Sequence, residues 1–256
     1  MNAVEVRNVS FNYKGAFVFD KLNFAVEKGE FVTILGKRSS GKSTLFKIFS
    51  NSLNFSGNIF ILKKSIKYNI DKGFLGFISA DCDYFKCASV LEEFINVLSF
   101  KLRSSSRMKG DIERVCKKLD IVNLLNRSIS SLTIKEKMLV MVAYQLLLKP
   151  KVLIIDNLFS FLDDKVPLVL KELKRLNKHC TVVNITNYPS ECLYGNEVIF
   201  LSDNFQKKVS ELDVNDFVKN DLDIPFPIIL SDRLKFYNLI DTVYYDIEKL
   251  VDVLWQ

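Results

Sequence analysis

Apolar and polar residues alternate along Val4-Glu5-Val6-Arg7-Asn8-Val9-Ser10-Phe11, which predicts a half-buried strand. Leu22 to Val26 and Phe31 to Leu35 predict two more, with Glu27-Lys28-Gly29-Glu30 as the turn between them. The run Phe31-Val32-Thr33-Ile34-Leu35 then meets Gly36, a polar loop, and a stretch from Ser43 to Phe49 whose apolar residues recur at helical spacing. Asn58 to Ile61 and Phe74 to Ile78 read as strands, Val90 to Leu98 and Ile112 to Leu125 as helices, and Ser104-Ser105-Ser106 as a loop. A long apolar helix, Lys135 to Leu148, is closed by Pro150. After it, strands at Val152 to Ile155, Thr181 to Ile185 and Val198 to Leu201 alternate with a helix from Val166 to Asn177. That alternation predicts a largely parallel sheet covered by helices. Past Pro225 and Pro227 the pattern becomes a helical tail, Ser231 to Leu254, and no internal repeat or low-complexity segment interrupts the chain.

Composition narrows the chemistry. A chain of 256 residues with 48% hydrophobic content suits one large domain, or one domain with a smaller appendage. Its apolar runs, such as Val152 to Ile155 and Ile228 to Leu230, are too short to cross a bilayer, and Met1 to Ser10 reads as a strand instead of a basic-then-apolar leader. A soluble, cytosolic protein is the expectation. Five cysteines, at 82, 87, 116, 180 and 192, form no C-x-x-C pair and suit a reducing compartment as buried or idle thiols. One histidine, His179, leaves little scope for a zinc site or a Ser-His-Asp device. The net charge of +6 comes from scattered lysines interspersed with acids, so no nucleic-acid partner is expected.

The stretch Gly36-Lys37-Arg38-Ser39-Ser40-Gly41-Lys42-Ser43-Thr44 satisfies G-x-x-x-x-G-K-[ST] between a strand and a helix, the context a phosphate-binding loop needs. Glycines let the backbone curl until successive N–H groups point at a phosphate, and the helix adds its positive end. Lys42 is expected to reach the β- and γ-phosphates of ATP and Ser43 to offer a hydroxyl to Mg²⁺, with Asp156, at the end of a later apolar strand, as the second metal partner.

With this loop in place, the order of the remaining motifs resembles the ATP-binding subunit of an ABC transporter over roughly residues 3 to 210. Tyr13 in F-N-Y-K-G matches the aromatic residue that stacks on adenine. L-G-F-I-S-A-D falls at the Q-loop, S-L-T-I-K-E-K-M-L-V-M-V-A at the signature and its helix, I-I-D-N at the second nucleotide motif, Ser160 to Asp163 at the D-loop and N-I-T-N at the switch. The resemblance implies an α/β P-loop NTPase of ABC type. Its parts would be a RecA-like, mostly parallel core, an antiparallel β subdomain and a helical signature subdomain near residues 80–150. The nucleotide-binding domain would span 1–210, and 211–256 would form a short helical C-terminal extension.

Several motif positions depart from the family. Ala80 stands at the Q-loop glutamine, Asn157 at the glutamate that orients or deprotonates the attacking water, and Asn187 at the histidine that senses the γ-phosphate. An amide is a poor proton acceptor, and losing the base alone costs about 10²–10⁴ in rate. The signature, which in the family touches ATP held by the other subunit, reads Thr133-Ile134-Lys135-Glu136. Thr133 keeps a hydroxyl, Ile134 and Lys135 add bulk where close backbone approach is needed, and Glu136 is expected to bring negative charge near the phosphate. In the D-loop, Ser160, Leu162 and Asp163 are the matching positions, with Phe159 and Phe161 as interface candidates.

Because two such domains sandwich two ATPs head to tail, the resemblance implies a heterodimer with a more complete paralogue, working on transmembrane subunits through the region Ala80 to Leu91. The F-x-Y…G and S-V-L-E-E-F wording and the size are most similar to the energy-coupling-factor (ECF) importers, which places the chain on the inner face of the membrane. The alternative is a catalytically inactive pseudo-ATPase in which nucleotide only stabilises assembly. A P-loop kinase is disfavoured by the motif order and by the absence of an arginine-rich lid.

Overall fold

The computed structural model describes residues 1–13, 15–80, 85–99 and 105–255. Cys82, Asp81 of the L-G-F-I-S-A-D segment, Lys14 of F-N-Y-K-G and Ser104 lie outside the described residues. In chain order the elements are β1 (Asn2–Tyr13), β2 (Ala16–Glu27), β3 (Phe31–Leu35), α1 (Lys42–Phe49), β4 (Ser56–Ile61), α2 (Ile66–Asp71), β5 (Leu75–Ile78), α3 (Val90–Ser99) and α4 (Ser105–Leu119). There follow α5 (Ile134–Leu148), β6 (Val152–Asp156), α6 (Val166–Asn177), β7 (Thr181–Thr186), β8 (Glu197–Phe200), β9 (Phe205–Lys208), α7 (Val214–Lys219), α8 (Phe226–Phe236) and α9 (Ile247–Leu254).

A three-stranded antiparallel sheet, β2-β1-β4, stands beside a six-stranded sheet ordered β5-β6-β7-β3-β8-β9, parallel except for the edge strand β9. Side chains of period two divide the larger sheet's core. Val32 and Ile34, Val152 and Ile154, Val183 and Ile185 pack with α1 and the antiparallel sheet, whereas Phe31, Leu153, Ile155 and Val182 face the cluster built by α3, α4, α5 and α6. Helix α5 is buried almost all round from Met138 to Ala143, which is why its sequence shows no polar stripe. It ends at Lys149 in a left-handed conformation, φ 52, immediately before Pro150.

The sheet order positions the site. β6, β7 and β3 are adjacent and parallel, so the residues leaving their C-terminal ends, Asn157, Asn187 and Gly36, emerge along one edge.

Three expectations need correction. Ser105 and Ser106 open α4 and are helical, because Met108, Ile112 and Cys116 already pack into the core cluster at helical spacing. The helix expected to reach Leu125 ends at Leu119, where Asp120 takes a left-handed turn, φ 55; Val122–Leu124 is a separate 3-10 turn. The tail is not one helix: α8 and α9 are separated by residues 237–246, in which Val243 and Tyr245 pack against the sheet-side cluster of Leu35, Val198, Phe200, Phe217 and Ile228. Helices α2 and α7 and strand β9 are too short for periodicity to announce them.

Candidate functional site

The loop after β3 is shaped by glycine. A Cβ on Gly36 would fall 2.3 Å from Ser40 Oγ. Gly41 has φ 94, and a Cβ there would meet the Phe19 ring at 2.7 Å and Val18 at 2.5 Å. Ser39 between them is also left-handed, φ 66. Helix α1 starts at Lys42 with no side-chain cap on Gly41 and no acid in its first turn, which leaves its N-terminal N–H groups and positive end available to an anion. Lys42 is buried: its Nζ donates to Gly36 O at 2.6 Å, to Lys37 O, and to Ser40 Oγ at 3.3 Å. Burial lowers its pKa, opposed by the attraction of Asp156.

An open cavity of about 390 Å³ is lined by Tyr13, Val18, Arg38, Ser39, Gly41, Lys42, Ser43, Thr44, Asn157 and Asn187. It unites residues from β1, the phosphate loop and the ends of β6 and β7. Tyr13 is half-exposed, with Phe11 edge-on at 4.8 Å. Asp156 is buried at the end of β6, one residue from the cavity wall, and Ser43 is exposed on it. A carboxylate and a hydroxyl form an oxygen donor pair that fits Mg²⁺, an ion that leaves its other positions to phosphate and water. Among the described residues no cluster of three or more metal-binding side chains offers an alternative.

Asn157 is fixed by backbone and side-chain contacts. It sits at φ 49, a left-handed conformation that Asn tolerates better than Glu. Its N–H donates to Ile185 O at 2.9 Å and its side-chain amide to Asp156 Oδ1 at 3.2 Å. Its Oδ1 is buried without a hydrogen-bond partner among the described residues. Among the described residues, no carboxylate or imidazole lines the cavity.

Behind Asn187 lies a buried polar network that the sequence pattern did not reveal. Glu191 accepts from Asn184 Nδ2 at 2.8 Å and from the Thr186 hydroxyl, and burial pushes its pKa up to about 7 against those two bonds. Thr186 Oγ1 in turn accepts from Tyr188 N at 3.1 Å, fixing the turn that presents Asn187. The signal was available only as one acid inside S-E-C-L, four residues after Asn187.

The other expected residues lie away from this cavity. Ala80 is an exposed turn residue after β5 and does not line it. Thr133 is the N-cap of α5: its Oγ1 accepts from Glu136 N at 3.3 Å, and Glu136 accepts from Thr133 N at 2.8 Å, a closed capping box. Arg127 pairs with the same carboxylate at 2.5 Å. The bond from Thr133 N, the Thr133 hydroxyl and Arg127 together lower the pKa of Glu136. Ile134 is exposed. Lys135 pairs with Asp164 and, at 3.5 Å, with Asp163 of the D-loop. Ser160 donates to Asn157 O at 2.7 Å, while Leu162 is fully buried. Lys37, expected in the nucleotide-binding loop, is paired with Asp221 of the turn after α7. Next to the undescribed stretch, buried Glu93 accepts from the N–H groups of Lys86 and Cys87 at 2.8 and 2.9 Å. Cys116, Cys180 and Cys192 are free, buried thiols whose pKa values burial pushes up to about 12.

A glycine loop feeding an uncapped helix at the C-terminal edge of a parallel sheet, beside an antiparallel sheet and a helical layer, defines a P-loop NTPase of ABC type. The ABC transporter family model matches residues 19–160, and the chain belongs to that family. It is 30% identical to the energy-coupling factor transporter ATP-binding protein EcfA of Malacoplasma penetrans, over 98% of this chain and 92% of that one. It is 28% identical to EcfA1 of Oenococcus oeni, over 100% and 98%. A third relative, EcfA1 of Mycoplasma capricolum, is 30% identical over 98% of the chain, which spans 65% of that protein's length. Among solved structures, cbiO1 of Clostridium perfringens, part of the ABC transporter complex cbiONQ, superposes with a TM-score of 0.65 at 25% identity, covering 81% of this chain and 88% of that one. A dimeric ATP-binding cassette bound to ADP and Pi gives 0.71 at 23% identity, over 82% and 100%, a likeness of fold. The chain is therefore an ABC transporter ATP-binding subunit with ECF-type homologues. Among the described residues no helix is long and apolar enough to cross a membrane.

Proposed function

We propose that this chain is the cytoplasmic ATP-binding subunit of an ECF-type importer, held on the inner membrane face by transmembrane subunits and pairing with a more competent paralogue. The ATP-binding unit would span 1–210 and carry its helical tail, 211–256, against β8. In this reading Tyr13 faces the adenine, the loop Gly36 to Thr44 and Lys42 hold the phosphates, and Ser43 and Asp156 hold Mg²⁺. When bound, Mg²⁺ neutralises charge on the phosphates.

The observation that carries the proposal is the cavity wall. It has the phosphate-loop residues Arg38, Ser39 and Gly41 to Thr44 on one side and two amides, Asn157 and Asn187, on the other, which in this reading stand where hydrolysis needs a base and a sensor. No described residue on that wall withdraws a proton from water, so in this reading bound ATP is retained, and its cleavage by this half-site is slow. Asn157, neutral and tied to Asp156, adds no repulsion toward a γ-phosphate. The degenerate signature points the same way: a homodimer would combine both faults at each site, whereas a paralogue supplies one sound half to each.

Purified chain is expected to bind a non-hydrolysable ATP analogue with Mg²⁺ by calorimetry and to show negligible turnover alone. Turnover should appear on adding the ABC subunit that co-purifies with it. Rapid multiple-turnover hydrolysis by the isolated chain would refute the proposal. The assembly-module alternative is separated by reconstituted transport with Lys42→Ala, which survives if nucleotide only stabilises the complex and is lost if ATP binding drives uptake.

A further inference from the structure

A second cavity, of about 410 Å³, opens where α4, the C-terminal end of α5 and α6 meet. It lies at the N-terminal edge of β6, opposite the edge that carries the nucleotide site, and the two cavities share no lining residue. We propose that it binds a small organic anion with an apolar body, of the medium-chain carboxylate class.

Two properties of the wall select that class. Val115, Leu146, Leu147, Pro150 and Leu176 give it an apolar floor, and its volume falls in the range of small-molecule sites. Around that floor stand five cations, Arg114, Lys118, Lys149, Lys151 and Arg175, against two carboxylates, Asp111 and Glu172. Both carboxylates are already engaged. Glu172 is 4% exposed and takes Lys118 at 2.9 Å together with Arg175; Asp111 takes Arg114. Lys149 and Lys151 form no ion pair among the described residues, and the left-handed turn at Lys149 sets both on the cavity wall. An apolar hollow with uncompensated positive charge at its rim is complementary to an anionic head on an apolar chain. A neutral hydrocarbon leaves that charge unused, and a bare phosphate gains nothing from the floor.

The cavity also lies on a seam. Lys118 to Glu172 joins α4 to α6, and Lys165 to Asp120 at 2.7 Å joins the segment before α6 to the end of α4. An occupant touches both helices and so holds them in the arrangement seen here.

The probe is decanoate, titrated into the full chain with MgATP analogue in excess to keep the phosphate loop filled. Calorimetry measures affinity, and hydrogen exchange locates the site. Binding is expected at roughly 10⁻⁴ to 10⁻³ M, with slowed exchange in α4 and α6. Decanol should bind at least about tenfold more weakly, and Lys149→Glu/Lys151→Glu should weaken decanoate about tenfold while leaving the ATP analogue's affinity unchanged. Leu146→Trp, which fills the hollow from a half-buried position, should abolish protection of α4 and α6. Equal affinity for decanoate and decanol overturns the proposal, as does protection confined to the exposed apolar residues of α8 and α9 or an unaltered affinity in the double-charge variant.

Discussion

Two helix N-termini occupy the places where this family meets nucleotide, and they are built in opposite ways. α1 begins after Gly41 with no side-chain cap, no acid in its first turn and a buried lysine held against loop carbonyls. α5 begins after Thr133 with both halves of a capping box closed, and the Glu136 carboxylate and Arg127 complete the arrangement. Helix N-termini need partners for their unpaired N–H groups. The first leaves that need to an external anion, whereas the second meets part of it from its own side chains, Thr133 Oγ1 accepting from Glu136 N. Glu136 was expected to bring negative charge near a phosphate across an interface; in the structure its carboxylate accepts from Thr133 N and pairs with Arg127. Lys135 is paired with Asp163 and Asp164. The two termini thus differ physically: one has no side-chain cap and the other has a closed capping box.

Substitutions can break or sharpen that contrast. The largest effect is expected from Lys42→Ala, which removes the cation from the open side and should weaken binding of an ATP analogue by about a hundredfold or more in calorimetry. Next comes the network that braces Asn187. Glu191 has a folded pKa of about 7, above its ordinary 4.5, so the folded state binds the proton more tightly. Its contribution is therefore fully present below about pH 4.5 and is lost as pH rises through 7, amounting to roughly 3 kcal/mol across that window. In Glu191→Gln, urea denaturation between these pH values should show that part of the slope removed.

Asn157→Glu comes third. It restores a carboxylate to the cavity and should raise single-turnover hydrolysis about tenfold in the assembled dimer, short of a full base effect because Ala80 and Asn187 remain. The same change should cost about 1 kcal/mol of stability, since Glu fits φ 49 less well than Asn. The smallest effect belongs to the closed terminus. Glu136→Gln keeps the capping geometry and removes the charge, and should raise the dimer's ATP affinity only about twofold to fivefold, read by equilibrium binding. If Glu136→Gln exceeded Lys42→Ala in effect, the contrast drawn between the two termini would be reversed.

The contrast also shows how much was legible beforehand. The phosphate loop was readable because the glycines at 36 and 41 are demanded by local geometry, a left-handed turn and contacts closer than a Cβ allows. Strands β3 and β6 were readable as continuous apolar runs, buried at every residue, and helix α6 because its burial follows the helical period. Asp221, whose carboxylate meets Lys37 across 184 positions, left no local trace. Nor did Arg127 announce that it would settle on Glu136, since a charged side chain's partner depends on what the fold brings near it.

By itself the sequence determined the local chemistry of this protein: where the backbone must curl into a phosphate loop, which strands are buried, and that the residues following two of them, Asn157 and Asn187, are amides. Tertiary structure decided what the neighbours do with those residues. It placed the ends of β3, β6 and β7 side by side, closed Thr133 and Glu136 into a cap, buried Glu191 near Asn187 and packed Val243 and Tyr245, between the two tail helices, into the cluster that holds Val198 and Phe200 of β8. The physical reason is range. Backbone conformation and hydrophobic period are set within a few residues, whereas pairing, burial and the charge state of a carboxyl depend on groups that only the folded chain brings together.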